Sequence, residues 1–304
     1  MKVDVVCLGN VNVDMLVFGT GKIGDEGERR VKGIKITKGG NAANCAAICK
    51  KLGLNVSLIG RIGNDFYGNF LKNYFKELRV RTYFTIGKET GCTIALINEN
   101  KRFFLNTSGE NENLSLKDIN LNIIKKAKHF HRGGLFFSNK LYKNGNLKIL
   151  KFAKENGVET SVDLGNLYKW DWIHQIRKLL QYIDIFFLNE IELKKISGKR
   201  NAEKGANFLI ENGVKIVALH RGASGTSIFT KEKAFSIPSF KVKVLNPVGA
   251  GDAYNAGFIF GLLKGYSLEK TATIACATAA LHIMKEGDYL PNLKEIRNLV
   301  REGV

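Results

Sequence analysis

Asn246-Pro-Val-Gly-Ala-Gly-Asp252-Ala-Tyr-Asn-Ala-Gly257 is the segment whose residue types and spacing point most directly to chemistry. A polar residue and a proline lead into Gly249, Ala250 and Gly251, where the pattern predicts the start of a helix. Small residues let successive backbone N–H groups turn toward one point, and the positive end of a helix dipole adds to them. The result is an anion hole suited to a phosphoryl group in transfer. Asp252, in the first turn, falls beside that hole, where a carboxylate can accept a proton from an attacking hydroxyl. Taken alone, the segment reads equally as a Gly turn and an Asp helix cap.

Two further segments carry the same kind of signal. Gly39-Gly40-Asn-Ala-Ala-Asn44 places paired glycines before a helix, which allows backbone to approach a ligand closely. Asn44 offers both a donor and an acceptor for a substrate hydroxyl. Earlier, Asn12 and Asp14 are two apart, so on an extended chain they share a face. An amide and a carboxylate facing one way suit a polyol. A capped turn and an exposed edge are the plain structural readings of these segments.

The elements that must position these residues alternate along the chain. Val3–Leu8, Val56–Ile59, Leu135–Ser138, Glu159–Asp163, Ile183–Leu188 and Lys215–Leu219 read as strands. Helical patterns fall near Ala42–Leu52, Phe66–Leu78, Ile119–Lys128, Leu147–Glu155, Trp172–Tyr182, Glu190–Ser197 and Ala202–Asn212, and three more follow Gly251. Such alternation predicts an α/β fold with a mostly parallel sheet and helices on both faces. Residues 11–37 and 80–106 break the rhythm and read as a small antiparallel β lid. The domain assignment is therefore 1–10, 38–79 and 107–304 for the α/β body, with 11–37 and 80–106 inserted in it. Ser161-Val-Asp163-Leu-Gly165 ends a strand and is placed facing the acceptor cleft. His129 and His131, near a strand, read as structural or exposed, and His220 as a pocket wall.

Other signals narrow the field. Gly19-Thr-Gly21-Lys-Ile-Gly24 matches the dinucleotide fingerprint but lacks its flanking strand and helix, so it is a decoy. The 304 residues carry a net charge of +19, from 47 Lys and Arg against 28 Asp and Glu. That favours anionic partners. The basic residues are scattered, however, which reads as a solvated surface rather than a nucleic-acid interface. Cys7, Cys45, Cys49, Cys92 and Cys276 form no CxxC pair and suggest buried thiols in a reducing compartment. No run reaches the ~18 apolar residues of a membrane span, and the start of the chain reads as a buried strand rather than a signal peptide. A cytoplasmic protein with no membrane partner is expected.

Together these segments resemble the ribokinase family, also called the carbohydrate kinases of the phosphofructokinase B type. The Gly-Gly signature ending in Asn is matched by Gly39, Gly40 and Asn44, with Gly53 and Gly63 following. The C-terminal signature is matched by Asn246 to Asp252. Gly63-Asn-Asp65-Phe-Tyr-Gly68, Asn189-Glu-Ile-Glu192 and Gly222-Ala-Ser-Gly225 resemble three further family motifs, in order along nearly the whole chain. The resemblance implies a ribokinase-like three-layer sandwich with a β lid. It implies an ATP- and Mg²⁺-dependent kinase acting on a sugar or nucleoside hydroxyl. Asp252 would be the base, and Gly249, Ala250 and Gly251 the anion hole. Asn12, Asp14, Gly40 and Asn44 would hold the acceptor. Asn189, Gly222 and Gly225 would shape the nucleotide site, and Glu192 would hold Mg²⁺ through water. A homodimer through the lid is implied as well.

The chain departs from the family in places. Asn246 stands where an Asp commonly helps bind an activating monovalent cation. His220 stands where Thr is common, and Asn41 where ribokinase proper tends to carry Lys. The family's acceptors include ribose, fructose, ketodeoxy sugar acids, sugar phosphates and nucleosides. Asn41 argues against ribose, and the Gly-Gly-x-Ala-Ala-Asn form leans toward nucleosides. Lys38, Arg61 and Arg102 would fit a sugar phosphate instead. Phe18, Phe104 and Phe136 are candidates to stack a base. The competing class is a non-catalytic, basic nucleic-acid-binding protein on the same fold.

Overall fold

Short apolar runs separated by helical periods fold here as parallel strands, because a strand buried on both faces needs apolar residues throughout. The computed structural model describes residues 3–21, 27–98, 101–142, 144–165 and 173–303. Its large sheet has nine strands in the order β13-β12-β11-β10-β9-β8-β1-β4-β5. In chain order these are β1 (Val3–Gly9), β4 (Val56–Gly63), β5 (Arg81–Gly87), β8 (Ala127–Gly133) and β9 (Glu159–Asp163). They continue with β10 (Ile185–Asn189), β11 (Ile216–His220), β12 (Thr226–Phe229) and β13 (Ala234–Ile237). The strands from β5 to β11 are parallel, and β12 and β13 form an antiparallel edge.

Helices cover both faces. On one face α1 (Asn41–Lys51), α2 (Phe66–Glu77), α8 (Ala250–Leu263), α9 (Leu268–Ile283) and α10 (Leu293–Glu302) contribute to one core. On the other, α3 (Leu121–Lys125), α4 (Gly145–Glu155), α5 (Ile173–Leu179), α6 (Glu190–Ser197) and α7 (Ala202–Glu211) pack into a second. Helix α8 is apolar nearly all round, as a helix sunk between neighbours must be. Gly257 and Gly261 let α9 come close: a Cβ on either would lie within 3 Å of Thr278 or Thr271.

The second sheet has four strands in the order β3-β2-β6-β7: β2 (Asn12–Phe18), β3 (Gly33–Gly39), β6 (Gly91–Asn98) and β7 (Lys101–Thr107). It is mixed rather than antiparallel, since β2 and β6 run parallel. The strand pairing divides the 80–106 segment: Arg81–Gly87 extends the large sheet, and the small sheet resumes at Gly91. Leu16, Phe18, Ala95 and Ile97 pack on its inner face with Phe104 and Val248.

Two sequence expectations fail for one reason. Leu135–Ser138 is not a strand but begins with a 3₁₀ turn, Leu135–Phe137. The strand lies earlier, at Ala127–Gly133, and shortens the expected 119–128 helix to Leu121–Lys125. Its polar residues His129, His131 and Arg132 hide it from an apolar-run search, yet all three are fully buried. Of the decoy glycines, Gly19 and Gly21 occupy left-handed turns after β2, and Gly24 lies outside the described residues. Cys7, Cys45, Cys49 and Cys276 are buried free thiols, and Cys92 is half-buried. Among the described residues no helix is long and apolar enough to cross a membrane.

Candidate active site

Helices α1 and α8 open at the same place, beside the root of the small sheet. Gly40 precedes α1 with φ 91°, and a Cβ there would meet the Asn10 carbonyl oxygen at 2.5 Å. Gly249 precedes α8 with φ 80°, in the left-handed region that favours glycine. The Ala- and Gly-rich first turns let the two helix starts meet, and side chains bridge them.

Asp252 is the centre of that bridge. It is 7% exposed. Its Oδ1 accepts from Asn41 Nδ2 at 2.9 Å, and its Oδ2 accepts from Asn44 Nδ2 at 2.8 Å. Burial, and then the charge of Asp163, raise its carboxyl to about 7, against the pull of the two amides and of Lys38. A carboxylate poised there is suited to taking a proton near neutral pH.

A second layer orients the first. Asn44 Oδ1 accepts from Lys38 Nζ at 2.8 Å, so much of Asn44's bonding capacity is met within the protein. Lys38 is buried on β3 and pairs with Asp288 at 2.5 Å, and Asp288 also accepts from the Tyr74 hydroxyl. This cluster ties the small sheet, α2 and the loop after α9 together. Arg61 does not reach the site, because Glu110 and Asp118 hold it at 2.7 and 2.6 Å. Arg102 donates to the Pro247 carbonyl at 2.7 Å and clasps the small sheet to the motif loop.

Asp14 shares its face of β2 with Asn12, as their spacing predicts. Burial raises the Asp14 carboxyl to about 7, while Lys38 and a Thr93 hydrogen bond oppose that shift. Gly39 has no side chain because Asp14 passes over it: a Cβ would lie 1.9 Å from Asp14 Oδ1. Asn12 is already engaged, its Oδ1 accepting from Asn111 Nδ2 at 2.6 Å. Phe18 and Phe136 are buried core residues, and Phe104 packs under the small sheet. Asp65 caps α2 and accepts from Thr90, a structural role.

Gly222 and Gly225, expected from the sequence to border a nucleotide, flank the turn between β11 and β12. A Cβ on Gly222 would meet nothing, whereas one on Gly225 would lie 2.1 Å from the Ile237 carbonyl oxygen. His220 ends β11 with its ring 4.5 Å from that of Tyr254, and burial lowers it to about 4, so it lines the wall as a neutral ring. Asn189 and Glu192 cap α6 reciprocally at 2.9 and 2.8 Å. Burial, with Asp163 nearby, raises Glu192 to about 8. A divalent cation would relieve that unfavourable charge, so Glu192 fits a metal site completed by water and phosphate. Among the described residues no group of three His, Cys, Asp or Glu could hold a metal by itself.

The sequence places Asp163 at a cleft-facing strand end and marks Asn41 only as a departure in the Gly-Gly motif; it does not show that Asn41 bonds Asp252, nor that Asn255 bonds Asp163. Asp163 ends β9, accepts from Gly134 N at 2.8 Å, and lies 3.2 Å from Asn255 Nδ2, one turn beyond Asp252. Its position at the C-terminal end of a parallel strand is the signal behind that placement, since ligands bind at that edge of such sheets.

A family model described as pfkB family carbohydrate kinase matches residues 2–295. The 5-dehydro-2-deoxygluconokinase of Clostridium beijerinckii is 27% identical, over 99% of this chain and 94% of that protein. The nucleoside kinase of Methanocaldococcus jannaschii is 28% identical, over 93% and 91%. A putative ribokinase II from E. coli, solved with ATP and Mg²⁺, superimposes with a TM-score of 0.89 at 23% identity, covering 99% of both chains. That likeness shows a ribokinase fold, the three-layer arrangement described above. The chain belongs to the pfkB family of carbohydrate kinases, phosphotransferases that use an alcohol group as acceptor.

Proposed function

We propose that the chain transfers the γ-phosphoryl group of ATP to a hydroxyl of a neutral sugar or a nucleoside, with Asp252 as general base. The observation that carries this reading is the Asp252 carboxylate, buried at the start of α8 with one amide on each oxygen. The acceptor hydroxyl gives its proton to Asp252 as its oxygen attacks phosphorus, and the departing nucleotide takes the bonding pair. The N–H groups of Gly249, Ala250 and Gly251 receive the charge that spreads over the transferring group. Mg²⁺, when bound with the nucleotide, would neutralise phosphate charge, and Asn189 and Glu192 are the residues to organise it and its waters. Gly222 and Gly225 border the nucleotide.

Asp14, Asn44 and the backbone at Gly40 hold the acceptor. Asp14 feels the charge of Lys38 but does not bond it, since Lys38 is bonded to Asp288 and Asn44. That disfavours a phosphate at this end of the pocket and supports a neutral acceptor. The named activities of the two curated relatives bracket the choice between sugar derivatives and nucleosides.

A second copy of the chain is the proposed occupant of the small sheet's outer face. Register places Ile34, Val17, Leu96 and Phe103 in one row across the strands, and Ile36, Met15, Ile94 and Leu105 in the next. Ile34 and Phe103 are each 62% exposed, as befits a contiguous apolar surface that a partner covers.

Three outcomes follow. Asp252→Asn keeps size and polarity and is expected to fold, yet to lose at least ~10²-fold in kcat, the lower range for a positioned base; near-normal turnover contradicts the assignment. Sedimentation should give a dimer that Phe103→Lys returns to monomer, and a monomeric unmodified protein would refute the pairing. The third concerns Asn246. Its Nδ2 donates to the Gly287 carbonyl at 3.0 Å, and its Oδ1 accepts from Val248 N at 3.1 Å. An Asp there would set lone pairs against the Gly287 carbonyl, a conflict that a cation between them resolves. Initial rates should therefore be insensitive to KCl at constant ionic strength, and Asn246→Asp should introduce K⁺ dependence. Saturable K⁺ activation of the unmodified protein would defeat this argument.

A further inference from the structure

Strands β8 and β9 carry an unusual row of polar side chains into the core. Their register sets His129 beside Glu159 and His131 beside Ser161. Both imidazoles and Ser161 are 0% exposed, under the apolar face that Phe187 and α8 cover. Three hydrogen bonds and one close approach make up the row. Glu159 Oε2 lies 3.0 Å from His129 Nδ1, and His129 Nε2 lies 2.7 Å from Ser161 Oγ. Ser161 Oγ lies 2.9 Å from His131 Nδ1, and His131 Nε2 lies 3.1 Å from Asp163 Oδ2. One end is at the surface, since the Glu159 side chain is 41% exposed. The other is Asp163, which accepts from Asn255, one turn beyond Asp252, and whose charge is felt at Asp252.

Counting hydrogens gives this row its meaning. Carboxylates only accept, a hydroxyl carries one hydrogen, and a neutral imidazole carries one. With both rings neutral, three hydrogens serve the four contacts just given. One contact is then left with lone pairs facing each other. His131 Nε2 approaches Asp163 Oδ2 without hydrogen-bond alignment, so this is the contact that a small movement of the ring must complete. One added proton fills every contact, and it can reside on either ring by shifting hydrogens along the row.

We propose that Glu159, His129, Ser161, His131 and Asp163 form a single-proton relay between solvent and the phosphotransfer site. Phosphorylation of an alcohol releases a proton at the site of transfer. A proton reaching Asp163 passes to His131 Nε2, His131 Nδ1–H gives its proton to Ser161 Oγ, and the Ser161 hydroxyl proton moves to His129 Nε2. His129 Nδ1–H then releases its proton to Glu159 and water. One proton enters, one leaves, and each O–H or N–H bond broken is matched by one formed. Exposure at the Glu159 end lets water satisfy whichever arrangement remains. The charge of Asp163 is felt at Cys7, Arg132, Glu192, His220 and Asp252, Glu159 feels Asp184 and Lys215, and Cys7 of β1 is the cross-strand neighbour of His131. The relay rests on the reading of Asp252 as base only for the source of the proton.

The test has two arms. Ser161→Ala cuts the row and leaves both rings and Asp163 in place. It is expected to lower kcat roughly tenfold, less than loss of a positioned base, and to raise the solvent deuterium isotope effect on kcat while leaving both KM values near normal. Ser161→Thr, which restores a hydroxyl, should recover the rate. A folded Ser161→Ala protein with unchanged kcat and isotope effect overturns the relay. The second arm needs no variant and no activity. In the unmodified protein, ring ¹⁵N shifts of His129 and His131 should change together, as one shared proton is gained or lost. Rings that respond to pH independently, or that hold fixed tautomers, overturn it even if Asp252 proves to be the base.

Discussion

A carboxylate that must be buried and still usable is the constraint on which the rest of this structure depends. Desolvation alone would drive Asp252 toward its neutral form. Two amide donors, one on each oxygen, offset part of that cost without neutralising the group as a direct ion pair would. Lys38 bonds Asn44 rather than Asp252 and acts on the carboxyl only through its charge. The arrangement requires two helix starts within side-chain reach of each other, and hence Gly40 and Gly249 at positive φ, with small residues in both first turns.

The same constraint explains how the small sheet is attached. Lys38, which orients Asn44, lies on β3, and Asp288 and Tyr74 hold it from the body of the protein. Val248, next to Gly249, packs into the inner face of that sheet, and Arg102 on β7 binds Pro247. Movement of the sheet would therefore be felt at the motif loop and at Asn44. If the sheet covers the acceptor and Asp252 is the base, the two are mechanically linked in this fold.

Much of this was legible in the sequence because it is local. The Gly-Ala-Gly-Asp turn, the Gly-Gly turn, and the shared face of Asn12 and Asp14 depend on residues a few positions apart. The parallel sheet was legible from apolar runs alternating with helical periods. Long-range polar pairing was not. Nothing in the neighbourhood of Lys38 announces Asp288, and nothing near Asn41 announces that it would bond Asp252. Strand β8 escaped notice because His129, His131 and Arg132 interrupt its apolar pattern. Their partners, Glu159, Ser161, Asp163 and Asn146, come from other segments. Asn189 and Glu192 show the converse: a motif read for its chemistry forms a complete helix-capping box.

The pH dependence of kcat/KM for ATP-dependent phosphorylation tests the central claim most directly. Asp252 must be ionised to accept the proton, and its carboxyl is raised to about 7. The rate should therefore fall about tenfold per pH unit below that value, far above the ~4 of an ordinary carboxyl. Asn41 donates to the ionised form, so Asn41→Ala should move this acid limb to higher pH. A rate that stays level down to about pH 5, or a limb that Asn41→Ala leaves in place, would contradict the account of Asp252 as the buried base.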